Sequence, residues 1–150
     1  LFKYFSPKPK FMNTNKFLIG GIIGGIAYFL LGWLVWGTLL MDFMNSHTSA
    51  AGKAIMRPEA EMIWWALIVA NLLWGFVLSF VCAKANVSSA GGGASIGVVL
   101  GLLVSAAMNC FNYAMMPMSD TTGMAVDIAA STVVGGIVGA IIGWFMGRGK

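Results

Sequence analysis

A chain of 150 residues with 59% hydrophobic and 9% charged residues falls far short of the quarter or so of charged residues that a water-soluble domain carries. It could not cover its apolar surface in water, and its length allows one domain. The net charge of +4 comes from nine Lys and Arg against five Asp and Glu; the basic residues sit at the ends of apolar segments and form no stripe with aromatics, which excludes a nucleic-acid partner.

The chain opens with a basic segment, residues 1–16. Met12-Asn13-Thr14-Asn15-Lys16 has the form of a bacterial membrane-protein start, so residues 1–11 are expected to be an upstream extension. The first apolar span runs from about Phe17 to Met41. Its length of roughly 25 residues exceeds the 7–15 of a signal-peptide core, so it is read as an uncleaved anchor. A long loop follows, holding Asp42, Met44, His47, Lys53 and Arg57. Pro58, Glu59 and Glu61 suit a helix start, where proline loses no hydrogen bond and acids meet the positive end of the dipole.

The second span covers about 62–83, the third 94–116 and the fourth 125–146. Each is long enough to cross a hydrocarbon core about 30 Å thick, and backbone polar groups in lipid are satisfied only within helices or closed barrels. No alternation of period two favours strands. Ser88 to Gly93 reads as a turn-rich link. Pro117 stops the third span, and Ser119, Asp120, Thr121 and Thr122 offer caps for the fourth. The expected fold is all-α: an integral membrane bundle of four helices over residues 17–146, with a short tail at 147–150.

With four spans, both termini and the middle link share one side. That side carries Lys3, Lys8, Lys10, Lys16, Lys84, Arg148 and Lys150 and no acid; the other carries Lys53 and Arg57 against Asp42, Glu59, Glu61, Asp120 and Asp127. The positive-inside rule places both termini in the cytoplasm, in a bacterial inner membrane. Trp64 and Trp65 then serve as outer interface anchors and Trp144 as an inner one.

Two combs of small residues stand at every fourth position: Gly93, Gly97, Gly101 and Ser105 in the third span, and Ser131, Gly135, Gly139, Gly143 and Gly147 in the fourth. Residues four apart lie nearly above one another on a helix, so each comb is a groove that lets a second backbone approach. This glycine-zipper spacing predicts close packing of the third and fourth spans, or association with another chain. The first span carries a related pattern, Gly20-Gly21-Ile22-Ile23-Gly24-Gly25, which resembles the fourth more than the third and so fits no simple parallel repeat.

Polar groups inside spans are costly and therefore informative. Asn71 lies near the centre of the second span. Ser105, Asn109, Asn112 and Tyr113 follow one another on roughly one face of the third. They form either a hydrated vestibule or ordinary interhelical hydrogen bonds, the latter being the commoner use. Asp42 and Asp127 are placed at the outer ends, leaving no carboxylate at mid-span. Met41, Met44, Met115, Met116 and Met118 gather with His47 on the outer side. Thioethers suit Cu(I), although methionine also fills irregular gaps, and no Cys-x-x-Cys or paired histidine accompanies them. Cys82 and Cys110 fit no metal or disulfide spacing and read as buried thiols.

No GxSxG, HExxH or phosphate-loop motif occurs, and Asp42 with His47 is the sole candidate dyad. An enzyme is not expected, nor a cofactor. The short basic start, the Gly-rich first span ending Gly32-Trp33-Leu34-Val35-Trp36-Gly37, the long first loop and the Gly-rich final span with Trp144 together resemble a family of small four-span bacterial membrane proteins of unknown function, over most of Met12 to Lys150. That resemblance implies the fold and supplies no activity. The expected partners are the lipid bilayer and either a second copy or another membrane protein. The expected role is association without catalysis, with a small conduit for a neutral solute or a soft cation such as Cu(I) as the alternative.

Overall fold

A computed structural model describes residues 13–148. The expectation for residues 1–11, and Lys3, Lys8, Lys10 and Lys150 of the charge pattern, lie outside the described residues. Six α-helices are present: α1 (Thr14–Leu34), α2 (Met41–His47), α3 (Ala50–Ile55), α4 (Trp64–Lys84), α5 (Ala90–Met115) and α6 (Thr121–Gly147). Four apolar helical stretches, Thr14–Leu39, Trp64–Lys84, Ala90–Met115 and Thr121–Gly147, have mean hydropathies of 2.0 to 2.2. The shortest has 21 residues, about 31 Å at roughly 1.5 Å per residue. The protein is an all-α four-helix bundle whose long helices can each cross a membrane.

The helix starts are set by capping. Asn13 accepts from the Lys16 amide, Ser89 from Gly92 and Asp120 from Gly123. One expected boundary therefore moves: the glycines at 91–93, expected in a link, are helical because Ser89 opens α5 ahead of them. Asp120, one of the caps expected for the fourth span, opens α6 ahead of the apolar run at Ala125. Glu59–Glu61 forms its own 3-10 turn instead of starting the second span, which begins at Trp64. At the other end of the first span the helix widens. Val35–Leu39 is π-helical, and the Leu40 amide donates to the Val35 carbonyl at 2.7 Å.

Consecutive long helices run in opposite directions, giving the bundle two ends. The basic end holds Lys16, Lys84 and Arg148; the loop end holds α2, α3 and the turn at 116–120. Lys16 ties the basic end together, its Nζ donating to the carbonyls of Met146 at 2.9 Å and Arg148 at 2.6 Å.

Helix α6 is the centre of the fold and has two distinct stripes. Val134, Val138, Ile142 and Met146 form the buried core with Leu78 and Cys82 of α4. The adjacent stripe of small residues meets α5 backbone to backbone. Gly97 lies against the Gly135 carbonyl, Gly93 against Gly139, and Gly143 and Gly147 against the carbonyls of Ser89 and Ser88. A methyl group built on Gly101 would stand 2.7 Å from the Ser131 carbonyl oxygen. The two combs thus face each other within one chain.

The doublets of α1 serve two neighbours at once. Gly20 and Gly24 face Met146 and Ile142 of α6, while Gly21 and Gly25 admit Phe76 and Leu72 of α4, with Gly75 opposite. Adjacent positions differ by about 100° around a helix, so a doublet repeated after four residues presents two small stripes. Ser79, fully buried, donates to the Phe17 carbonyl at 2.8 Å across the same contact. Cys82 is buried, but Cys110 is exposed, against expectation: it stands on a side of α5 that no other helix covers.

Candidate functional site at the loop end

Packing changes character towards the loop end. The register of the combs continues one step further: Gly97 meets Gly135, Gly101 meets Ser131, and a further step of four on each helix sets Ser105 opposite Asp127, with Asn109 one turn further along α5. Here side chains replace bare backbone. Asp127 is the seventh residue of α6, about 9 Å along the helix at roughly 1.5 Å per residue, and is half-buried. Its Oδ1 accepts from Trp36 Nε1 at 2.8 Å and its Oδ2 from Asn109 Nδ2 at 2.7 Å. Three elements converge on one carboxylate: the π-helical segment that ends the first span, α5 and α6. Among the described residues the only ion pair is His47 with Asp120, so no cationic side chain pairs with Asp127.

The other polar candidates are placed differently. Asn109 also donates to the Ser105 carbonyl at 3.0 Å, and the Ser105 hydroxyl donates to the Gly101 carbonyl at 2.5 Å. Asn71 donates to Leu67 of its own helix at 2.8 Å. Asn112 is half-buried and Tyr113 exposed. Asn109 is the one member of the set that reaches across to another helix by side-chain hydrogen bonding. From the sequence Asp127 stands at the outer end of the fourth span without a partner; in the structure it is the seventh residue of the helix that Asp120 caps and is reached by Trp36 and Asn109.

Above this network the loop folds over the α5–α6 turn. The Ser49 amide donates to Met118 O at 2.9 Å and the Asp120 amide to His47 O at 3.1 Å. The Ser49 hydroxyl donates to Pro117 O, and Gly52 lies against the Met118 carbonyl. An open depression of about 590 Å³ results, lined among others by Ser46, His47, Ser49, Tyr113 and Asp120. The candidate dyad does not form. His47 Nδ1 stands 3.9 Å from Asp120 Oδ2, and Asp42 is exposed elsewhere on α2. His47 follows Asp42 by five positions, which turns them about 140° apart on a helix.

Met41, Met115 and Met116 are exposed, and Met44 and Met118 are half-buried. No three His, Cys, Asp or Glu side chains gather among the described residues.

A second feature lies on α4. Stepping along its inward stripe by three or four residues, Cys82 is 0% and Leu78 1% exposed, Gly75 is buried, Asn71 is half-buried, and Ile68 and Trp64 are each 46% exposed. Residues 67–70, which together circle the helix, are all exposed. Residues 67–70 of α4 therefore stand clear of their neighbours, on the side facing the bundle as well as away from it, and cover begins where Asn71 and Leu72 meet Gly25 of α1. No family model, curated protein or solved structure matches the chain.

Proposed function

We propose that the chain is a multi-pass protein of a bacterial cytoplasmic membrane, with its basic end in the cytoplasm. Its function is to receive a membrane-spanning helix of another polypeptide, without catalysis, against the loop-end half of α4. The orientation is supported by Lys16, Lys84 and Arg148 at one end, where the described residues include no acid, and by five acids against Lys53 and Arg57 at the other. Arg148 stacks on Trp144 at 3.6 Å from the ring centroid and Lys84 lies 5.6 Å from that of Phe80, pairings suited to a headgroup layer.

One observation carries the functional reading: the inward stripe of α4 loses its cover between Gly75 and Trp64. The small-residue combs, which would otherwise be the obvious association surface, are occupied within the chain. The exposed stripe instead offers apolar side chains with one amide, Asn71, whose Oδ1 accepts no hydrogen bond from the described residues. A neighbouring helix can supply that bond. A solute pathway along Asn71, Ser105, Asn109, Asn112 and Tyr113 draws less support, because the amide protons of Asn71 and Asn109 that form bonds do so with their own helices or with Asp127.

A photo-activated residue at Ile68, in the intact membrane, tests the proposal. A cross-link to a protein is expected, and mass spectrometry then tells a second copy from another subunit. Cross-links to lipid alone, with Val138 as the internal control, sink it.

A further inference from the structure

Independently of that surface, we infer that Asp127 and Asn109 form a binding site for a small monovalent metal cation of the Na⁺ type. The argument begins with charge. A carboxylate within a span is expensive unless it is neutralised. Its two partners, the Trp36 indole and the Asn109 amide, are neutral donors, and no Lys, Arg or His among the described residues comes within ion-pair distance. Hydrogen bonds orient the group without cancelling its charge. One unit of positive charge balances the site; a divalent ion would leave an excess of the opposite sign.

The donor set then selects the ion. A carboxylate has about four lone-pair positions, and one on each oxygen is taken, leaving both oxygens able to coordinate. Both protons of Asn109 Nδ2 are committed, to Asp127 Oδ2 and to the Ser105 carbonyl. Its Oδ1 accepts no hydrogen bond from the described residues and belongs to the same amide that holds the carboxylate. It is also no sealed, orphaned atom, since every buried side-chain nitrogen and oxygen among the described residues has a partner. Oxygen donors are hard and suit alkali cations, whereas Cu(I) takes thioethers and thiolates. The site answers to a different cation from the one that the methionine pattern suggested.

Access and position agree. The site lies at the loop end, where Asp42, Glu59, Glu61 and Asp120 outnumber Lys53 and Arg57 and raise the local cation concentration. The π-helical turn that presents Trp36 is a distortion often found at functional sites. Binding at this carboxylate would join the first span, α5 and α6, so occupancy should register as stability.

The test measures the thermal midpoint of the detergent-solubilised full chain in LiCl, NaCl, KCl or choline chloride at equal ionic strength and fixed pH. A saturable upward shift with Na⁺ or Li⁺ over choline, lost in Asp127→Asn, is expected. Indifference of the wild-type chain to all three metal ions overturns the inference, as does a shift that survives in Asp127→Asn. A midpoint that responds to pH alone also overturns it, assigning the carboxylate to a proton. Should Asp127→Asn fail to fold, Asn109→Leu keeps the Trp36 bond and removes one ligand. A half-saturating concentration that rises in this variant supports the site, and an unchanged one rejects it.

Discussion

The two halves of the bundle hold their helices by different means. Towards the basic end, glycines remove side chains altogether, and backbones meet directly at Gly97–Gly135 and Gly93–Gly139; the large residues Leu78, Val138 and Ile142 fill the remaining space. Towards the loop end, the same helix register continues, but Trp36, Asn109 and Asp127 bridge the gap by hydrogen bonds and residues 67–70 of α4 are exposed all round. In lipid no hydrophobic force draws helices together, so close van der Waals contact and interhelical hydrogen bonds share the work. The first holds three helices around α6 and is intolerant of any added atom. The second is local and leaves a surface uncovered. Rigidity belongs to the half with the fewest side chains, and chemistry to the half with the most open space.

Substitutions can break this contrast in order of size. Gly139→Leu sets a side chain against the Gly93 carbonyl and Gly97 Cα. Neither can rotate away, so the loss should exceed the roughly 1–3 kcal/mol of ordinary overpacking and separate α5 from α6; thermal unfolding in detergent reads it directly. An unchanged midpoint would mean that the combs do not carry the fold. Trp36→Phe keeps the ring and removes one donor to Asp127. About 1 kcal/mol is expected, within the range for interhelical hydrogen bonds in membranes, measured by unfolding in a denaturing detergent. A loss as large as that of Gly139→Leu would erase the distinction between the halves. Ile68→Ala should cost the isolated chain no more than about 0.5 kcal/mol, since surface changes seldom do, while weakening capture of a partner helix. A large loss in the isolated chain would show that the loop-end half of α4 is packed after all.

Much of this was legible before any coordinates. Four spans followed from hydropathy and length, and spacing alone identified both combs. Their register extends to the polar network: with Gly97 opposite Gly135 and Gly101 opposite Ser131, the next step sets Ser105 opposite Asp127, one turn from Asn109. Spacing alone does not reveal it, because which face of α5 meets α6, and in what register, is a tertiary property. The doublets of α1 were visible but compared with α6 as a repeat, when their meaning is contact with two neighbours. Helices α2 and α3 carried little signal: each is under two turns and held by hydrogen bonds to residues 117–120, which local periodicity cannot report. The exposure of the first turns of α4 is a tertiary property, and nothing in the apolar run from Trp64 to Lys84 marks where its cover ends.

The bond from Lys16 to the end of α6 has a consequence for synthesis. The ammonium group spans 130 residues of sequence to reach the Met146 carbonyl, so the first helix enters the bilayer long before its tether exists. Until then Gly20 and Gly24 have no Ile142 or Met146 to receive, and α1 and α4 must wait as a half-built pair. Helices α5 and α6, separated by a turn of five residues, can insert as a ready-made hairpin. The contacts of α1 are therefore complete only once the end of α6 has been made.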